Sequence, residues 1–244
     1  MTWWRVPRDF VRVTGPEARS FLQGQLSQDV EDLAPGHTRM SFLLQPQGKV
    51  DAYVRVSCIS DDAFLLDVDA GYGDAVVDRL ERFKLRTKAE IARVGSWQCI
   101  AELGEDDVVV EEIIDDIEVE GVPADLESYE VLRIKAGIPA MGHEIDESTI
   151  PAALGQHVID AAVSFTKGCY TGQELVARID SRGGNTPTKL VGVRDAAGAS
   201  VGDPVVVDGK EVGRITSAAG DVALAIVRRE VELPAGPLVA LPMA

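Results

Sequence analysis

The chain has 244 residues, 45% of them apolar, which is enough for a sizeable core and for two or three small domains. Its 40 acidic side chains outnumber 24 basic ones, and a net charge of −16 opposes binding driven by a phosphate backbone, so no direct nucleic-acid partner is expected. It contains no run of eighteen apolar residues and no apolar stretch of signal-peptide length after Met1, so no membrane partner is expected and the expected location is the cytoplasm.

Thr14 and Glu17 stand at capping-box spacing around Pro16, which predicts a helix from Pro16 to about Val30 with Ala18, Phe21, Leu22 and Leu26 on one face. Leu33-Ala34-Pro35-Gly36 makes a turn. Strands are expected over His37–Leu44, Val50–Ile59 and Ala63–Val68, joined by tight loops at Gln45-Pro46-Gln47-Gly48 and Ser60-Asp61-Asp62. An amphipathic helix over Tyr72–Phe83 carries Ala75, Val76, Leu80 and Phe83 inward, and strands follow near Ala89–Val94 and Trp97–Leu103. This order predicts a compact α+β unit with a helix on an antiparallel sheet. Lys84, Arg86, Lys88 and Arg93 read as a solvated face.

The acidic stretch Glu105–Glu120 reads as a strand and a turn. Asp125–Ala136 reads as a helix stopped by Gly137 and Pro139. A last helix is expected to begin at Thr171, which has capping-box spacing to Glu174, with Leu175, Val176 and Ile179 inward and Gly183-Gly184 at its end. From Thr188 to Ala244, short β runs broken by turns such as Asp208-Gly209 read as a small β-barrel.

Cys58, Cys99 and Cys169 are odd in number and far apart, so neither a disulfide framework nor a cysteine-rich zinc site is supported. Cys58 and Cys99 lie in apolar strand-like runs and read as packing residues. His37, His143 and His157 form no metal-binding spacing, and no metal site is expected. Cys169 differs. It precedes a helix start, where free N–H groups carry partial positive charge, and Lys167 is two residues away; both favour thiolate. Gly168 and Gly172 permit close approach of a ligand, and Tyr170 and Gln173 add an aromatic face and an amide. The same residues also describe a well-capped helix start with its thiol packed inside. Local spacing leaves both readings open, and no histidine lies nearby in sequence to act as a base.

Ser164 to Arg178, SFTKGCYTGQELVAR, closely resembles the signature of the YgfZ family, a folate-binding group related to the glycine-cleavage aminomethyltransferase (T-protein). Val13–Val30, Gln47–Val50, Leu132–Pro139, Ile150-Pro151 and Val212–Ser217 agree in order, so the resemblance covers nearly the whole chain. It implies an α+β, three-lobed, aminomethyltransferase-like folate-binding fold with a C-terminal β-barrel and a folate site near the centre. The lobes would be residues 1–45 plus 120–186, an inserted α+β unit at 46–119, and the barrel at 187–244. The implied function is a folate-binding accessory protein for assembly or repair of iron–sulfur enzymes, including one that modifies tRNA, with iron–sulfur enzymes or assembly factors as partners. The alternative is a tetrahydrofolate-dependent aminomethyl or one-carbon transferase.

The resemblance places the working thiol at Cys169 and its neighbouring cation at Lys167. Asp51 falls about where the transferase has an acidic hairpin residue; it would meet a reacting amine or be a solvated charge. For tetrahydrofolate or a derivative, the candidate contacts are Tyr129, Arg133, Tyr170 and Gln173. Tyr129 is a folate-side aromatic or a core residue. Arg133 meets the glutamate-tail carboxylate or a nearby acidic side chain. The transferase has a Thr-Gly-Glu-type segment that is missing from Leu103–Ser128 here.

Overall fold

The computed structural model describes residues 2–104, 109–115, 118–181 and 183–231. The expected barrel residues 232–244 and parts of the Glu105–Glu120 stretch lie outside these.

Among the described residues, three antiparallel sheets organise the fold. The largest is built from β2 (Arg8–Thr14), β3 (Thr38–Leu44), β4 (Val50–Ser60), β5 (Ala63–Asp69) and β6 (Glu90–Val94), in the order β3-β4-β5-β2-β6. Period-two alternation gives it two different faces. Val11, Val13, Val54, Val56, Cys58, Phe64, Leu66 and Val68 point into the main core, under α1 (Ala18–Gln25) and α2 (Gly73–Lys84). Phe10 and Leu65 point the other way, into a second core with Trp4, Cys99 and Tyr129. The expected division between residues 45 and 46 falls inside this sheet, because β3 and β4 pair from Thr38↔Ser57 to Leu44↔Val50.

The second core is covered by β1 (Trp3–Val6), β7 (Trp97–Leu103) and β8 (Val109–Asp115), in the order β1-β7-β8, and by α3 (Leu126–Lys135). The third sheet runs β10-β11-β12-β9, from β9 (Thr188–Arg194), β10 (Pro204–Val207), β11 (Lys210–Ala219) and β12 (Val222–Arg228). Asp208 and Gly209 turn its hairpin with φ of 50° and 73°, the left-handed pair that a two-residue turn requires. Among the described residues this sheet is open. It packs through Ala219, Val222 and Leu224 on Ile134 of α3.

Two helix starts differ from expectation. Helix α1 begins at Ala18, and the Glu17 carboxylate accepts from the Lys88 backbone N–H at 2.6 Å rather than closing a box with Thr14, which is in β2. The helix stops at Gln25, short of Val30, because Leu26 turns extended and bridges to Leu43. Helix α5 (Gln173–Asp180) begins after left-handed Gly172 (φ 84°), with no side-chain cap, so the Thr171–Glu174 box does not form. The strands β1 and β2, a 3-10 turn at Pro151–Leu154 and α4 (Gln156–Ala162) were not expected from the sequence. Only Val11–Thr14 alternates apolar and polar; Phe10 beside Val11 faces the second core, and this two-faced strand hides its period-two signal.

Candidate functional site

The signature loop is built on the end of α1. After Gln25 the backbone opens, and the carbonyls of Gln23, Leu26 and Gln28 converge on one point. Lys167 Nζ fills it, donating to the three oxygens at 2.8, 2.7 and 2.8 Å. An ammonium has three N–H donors, so this one is saturated. Burial pushes its pKa down to about 8, with Asp29 and Glu31 pulling the other way. The three carbonyls favour the charged form. The same segment makes further ties to the loop and the chain before it: Thr171 N–H donates to Gly24 O at 3.1 Å, Ser164 N–H to Ser27 O at 3.0 Å, and Gln28 Nε2 to Ala161 O at 3.0 Å.

The other side of the loop rests on the β3–β4 hairpin, glycine against glycine. A Cβ on Gly172 would lie 2.6 Å from Gln45 O and 3.3 Å from Gly48 Cα. A Cβ on Gly48 would lie 2.6 Å from Leu175 Cβ. Both glycines have positive φ. Gln173 Oε1 accepts from Tyr170 N–H at 3.1 Å, which closes the turn from inside. Tyr170 is half-buried, which raises its pKa to about 12, and its ring centroid is 5.2 Å from Lys167 Nζ.

At the crest of this fixed loop Cys169 is exposed, whereas Cys58 and Cys99 are each 1% exposed. Burial pushes the Cys99 thiol up to about 12. Gly168 opens to empty space. Next to the loop, between the 3-10 turn, α4 and α5, lies a small surface cleft lined largely by apolar groups such as Ile150, Ile159, Phe165 and Val176.

Asp51 reaches the same neighbourhood through Arg79, which the sequence reading missed. Arg79 is 4% exposed and donates to Asp51 Oδ2 at 2.9 Å, to Gln25 Oε1 at 3.0 Å and to Leu44 O at 2.8 Å. Its guanidinium also lies 3.8 Å from the centroid of the Phe83 ring. Burial lowers its pKa and Asp51 raises it. Its signal was a cation on the inward stripe of the Tyr72–Phe83 helix, between Val76 and Leu80.

Tyr129 and Arg133 belong to α3, and both are bound within the chain. Tyr129 donates to Glu111 Oε1 at 2.5 Å, and burial first, then Glu111, raises its pKa well above the ordinary value. Arg133 meets nearby acidic side chains. It pairs with Glu130 at 2.8 Å and fully buried Glu144 at 3.3 Å, and donates to Ser217 Oγ at 2.8 Å. The structure thus joins Lys167, Cys169, Tyr170 and Gln173 around the start of α5, links Asp51 to Gln25 at the end of α1 through Arg79, and uses Tyr129 and Arg133 to tie α3 to β8 and β11. Among the described residues no group of three or more His, Cys, Asp or Glu could hold a metal ion, and no helix is long and apolar enough to cross a membrane.

Two family models match parts of the chain. Residues 9–104 match the GCVT N-terminal domain, and residues 188–241 match the CAF17 C-terminal beta-barrel domain. An uncharacterized protein of Haemophilus influenzae is 31% identical, over 85% of this chain and 80% of that protein. The mouse mitochondrial iron–sulfur cluster assembly factor IBA57 is 27% identical over 91% of this chain and 76% of that protein. The tRNA-modifying protein YgfZ of Edwardsiella ictaluri is 26% identical over 72% of this chain and 65% of that protein. Among solved structures, glycine cleavage system aminomethyltransferase T from Bartonella henselae superposes with a TM-score of 0.69 at 18% identity, covering 93% of this chain and 78% of that one. With the two domain matches, these relatives and this fold together, the chain belongs to the YgfZ/CAF17 family, built on the glycine-cleavage T-protein architecture.

Proposed function

We propose that this chain is an accessory protein for the assembly or repair of iron–sulfur enzymes, with Cys169 as its working thiol. One observation carries the reading: the exposed cysteine stands on a loop pinned by a saturated, half-buried ammonium, while the other two cysteines are sealed in the cores. Relatives named as an iron–sulfur cluster assembly factor and a tRNA-modifying protein support it. A thiolate is a soft ligand suited to iron–sulfur clusters. The cluster is cargo here. Cys169 supplies one ligand, and the carrier or client protein supplies the rest, since the described residues offer no second donor set. Lys167 is a positioning residue that acts through the loop, and Gly172 with Gly48 sets the height of the thiol above the hairpin.

Tetrahydrofolate is the small molecule that the family resemblance implies, and three of the four residues expected to hold it already use polar groups inside the chain. The Tyr129 hydroxyl, the Arg133 guanidinium and the Gln173 amide oxygen already have partners inside the chain, and the first two lie on α3 rather than in the signature loop. The function therefore runs through the thiol, with no step assigned to folate. Aminomethyl transfer would need the Asp51 carboxylate to receive an amine, and its Oδ2 is held by Arg79.

The test is a cell whose own copy carries Cys169→Ser. Activities of iron–sulfur enzymes are expected to fall to the level of a deletion while the amount of the protein stays constant. Full activity in that cell would overturn the reading. In parallel, purified protein given tetrahydrofolate and a one-carbon donor should show no turnover. Turnover abolished by Asp51→Asn would establish the transferase instead.

A further inference from the structure

The family resemblance implies a folate site near the centre, and where the five-stranded sheet, the β1-β7-β8 sheet and α3 meet, the chain brings its own charges together. Arg55 on β4 donates to Asp67 through Nε at 2.9 Å and Nη2 at 3.2 Å, and through Nη1 to Glu111 on β8 at 2.9 Å. Arg8 on β2 donates to Asp67 from the other side at 2.8 Å and also pairs with Asp69. The Tyr129 hydroxyl from α3 completes the ring on Glu111, and Cys99 Sγ lies 3.3 Å from Arg55 Nη2. Asp67 is fully buried, and Arg55 and Tyr129 are each 8% exposed.

We propose that this ion cluster stands in for a bound folate: it ties the lobes together and closes the centre to ligand. Its members come from the five-stranded sheet, from the β1-β7-β8 sheet and from α3, which also carries the third sheet. A flat bicyclic ring entering here would part Arg55 from Asp67 or from Glu111. Leaving one partner of a buried pair alone weakens any such binding by roughly two to four orders of magnitude. The groups nearest solvent are Asp69 and Glu111, with side chains 27% and 25% exposed. Both are carboxylates, so the mouth repels the glutamate tail of a folate. The cleft beside α5 offers no substitute, because its one charged lining residue is Asp180.

The experiment is a titration of the full chain with 5-formyltetrahydrofolate, followed by equilibrium dialysis and by tryptophan fluorescence, since the Trp4 ring lies 6.2 Å from Tyr129. No saturable binding is expected below about 1 mM. One ligand bound per chain at micromolar concentration, with quenched fluorescence, would overturn the proposal. The tie between lobes is read separately by amide hydrogen exchange in Glu111→Gln, and in Tyr129→Phe, which removes a single hydroxyl and keeps the ring. Exchange is expected to rise in β5, β8 and α3 together in both variants. A rise confined to β8, or no rise, would refute the tie. Cys169 takes no part in either measurement, so the thiol reading stands or falls on its own test.

Discussion

Lys167 is the residue on which the candidate site depends. Its three N–H donors meet three backbone carbonyls that α1 leaves open when it ends at Gln25. Lys167→Met removes all three bonds and leaves half-buried acceptors, so the expected loss is roughly 2–3 kcal/mol of unfolding free energy, read from a denaturant midpoint. Lys167→Arg should not restore it, because a planar guanidinium cannot point three donors at one converging set of carbonyls. Cys169 is the complementary case. With Cys58 and Cys99 buried, a thiol reagent should label one cysteine per folded chain and all three after denaturation. Cys169→Ser should abolish the fast phase and leave the melting temperature unchanged. Two labelled thiols in the folded protein would contradict the burial of Cys58 or Cys99.

At the scale of elements, the site is a meeting of three pieces: the end of α1, the β3–β4 hairpin and the start of α5. The meeting needs glycine twice. Gly172 has φ of 84°, and any Cβ there would press on Gln45 O at 2.6 Å, which is backbone and cannot swing aside. Gly172→Ala should therefore cost about 2 kcal/mol or more in stability, and should raise amide exchange in both the hairpin and the loop. A change confined to α5 would show that the two pieces are not packed as described. Most of these elements were legible from their patterns. Trp97–Leu103 is β7 residue for residue, and Asp125 caps α3 with a 2.9 Å bond from Ser128 N–H. The helix starts at Ala18 and Gln173 were misread for one reason. A capping box is a local pattern, and at both places a distant group took over: Lys88 N–H claims Glu17, and the hairpin imposes a left-handed Gly172 in front of α5.

For the whole molecule, the question is what joins the lobes. Besides the central ion cluster, Arg133 on α3 pairs with buried Glu144, whose other oxygen accepts from Ser217 Oγ on β11 at 2.6 Å. Arg133→Met would leave Glu144 with one hydroxyl and one backbone N–H as partners and no counter-charge. The expected cost is about 3–5 kcal/mol, seen as a lowered melting temperature or as two calorimetric transitions where the intact chain gives one. A change under 1 kcal/mol, far below the usual cost of breaking a buried pair, would mean that the clamp is ornamental. By itself the sequence determined the antiparallel α+β class and the strand-rich tail, which follow from periodicity, turn chemistry and residue type, all acting over a few neighbours. It marked the signature loop through a family resemblance, and only the fold decided that Cys169 stands exposed there. Only the tertiary structure decided that Lys167 pins carbonyls at residues 23, 26 and 28, that Arg79 holds Asp51, and that Arg8, Arg55, Asp67, Glu111 and Tyr129 form one cluster. In each case a buried charge takes the nearest partner in space, and folding sets that partner from segments up to 144 residues apart along the chain.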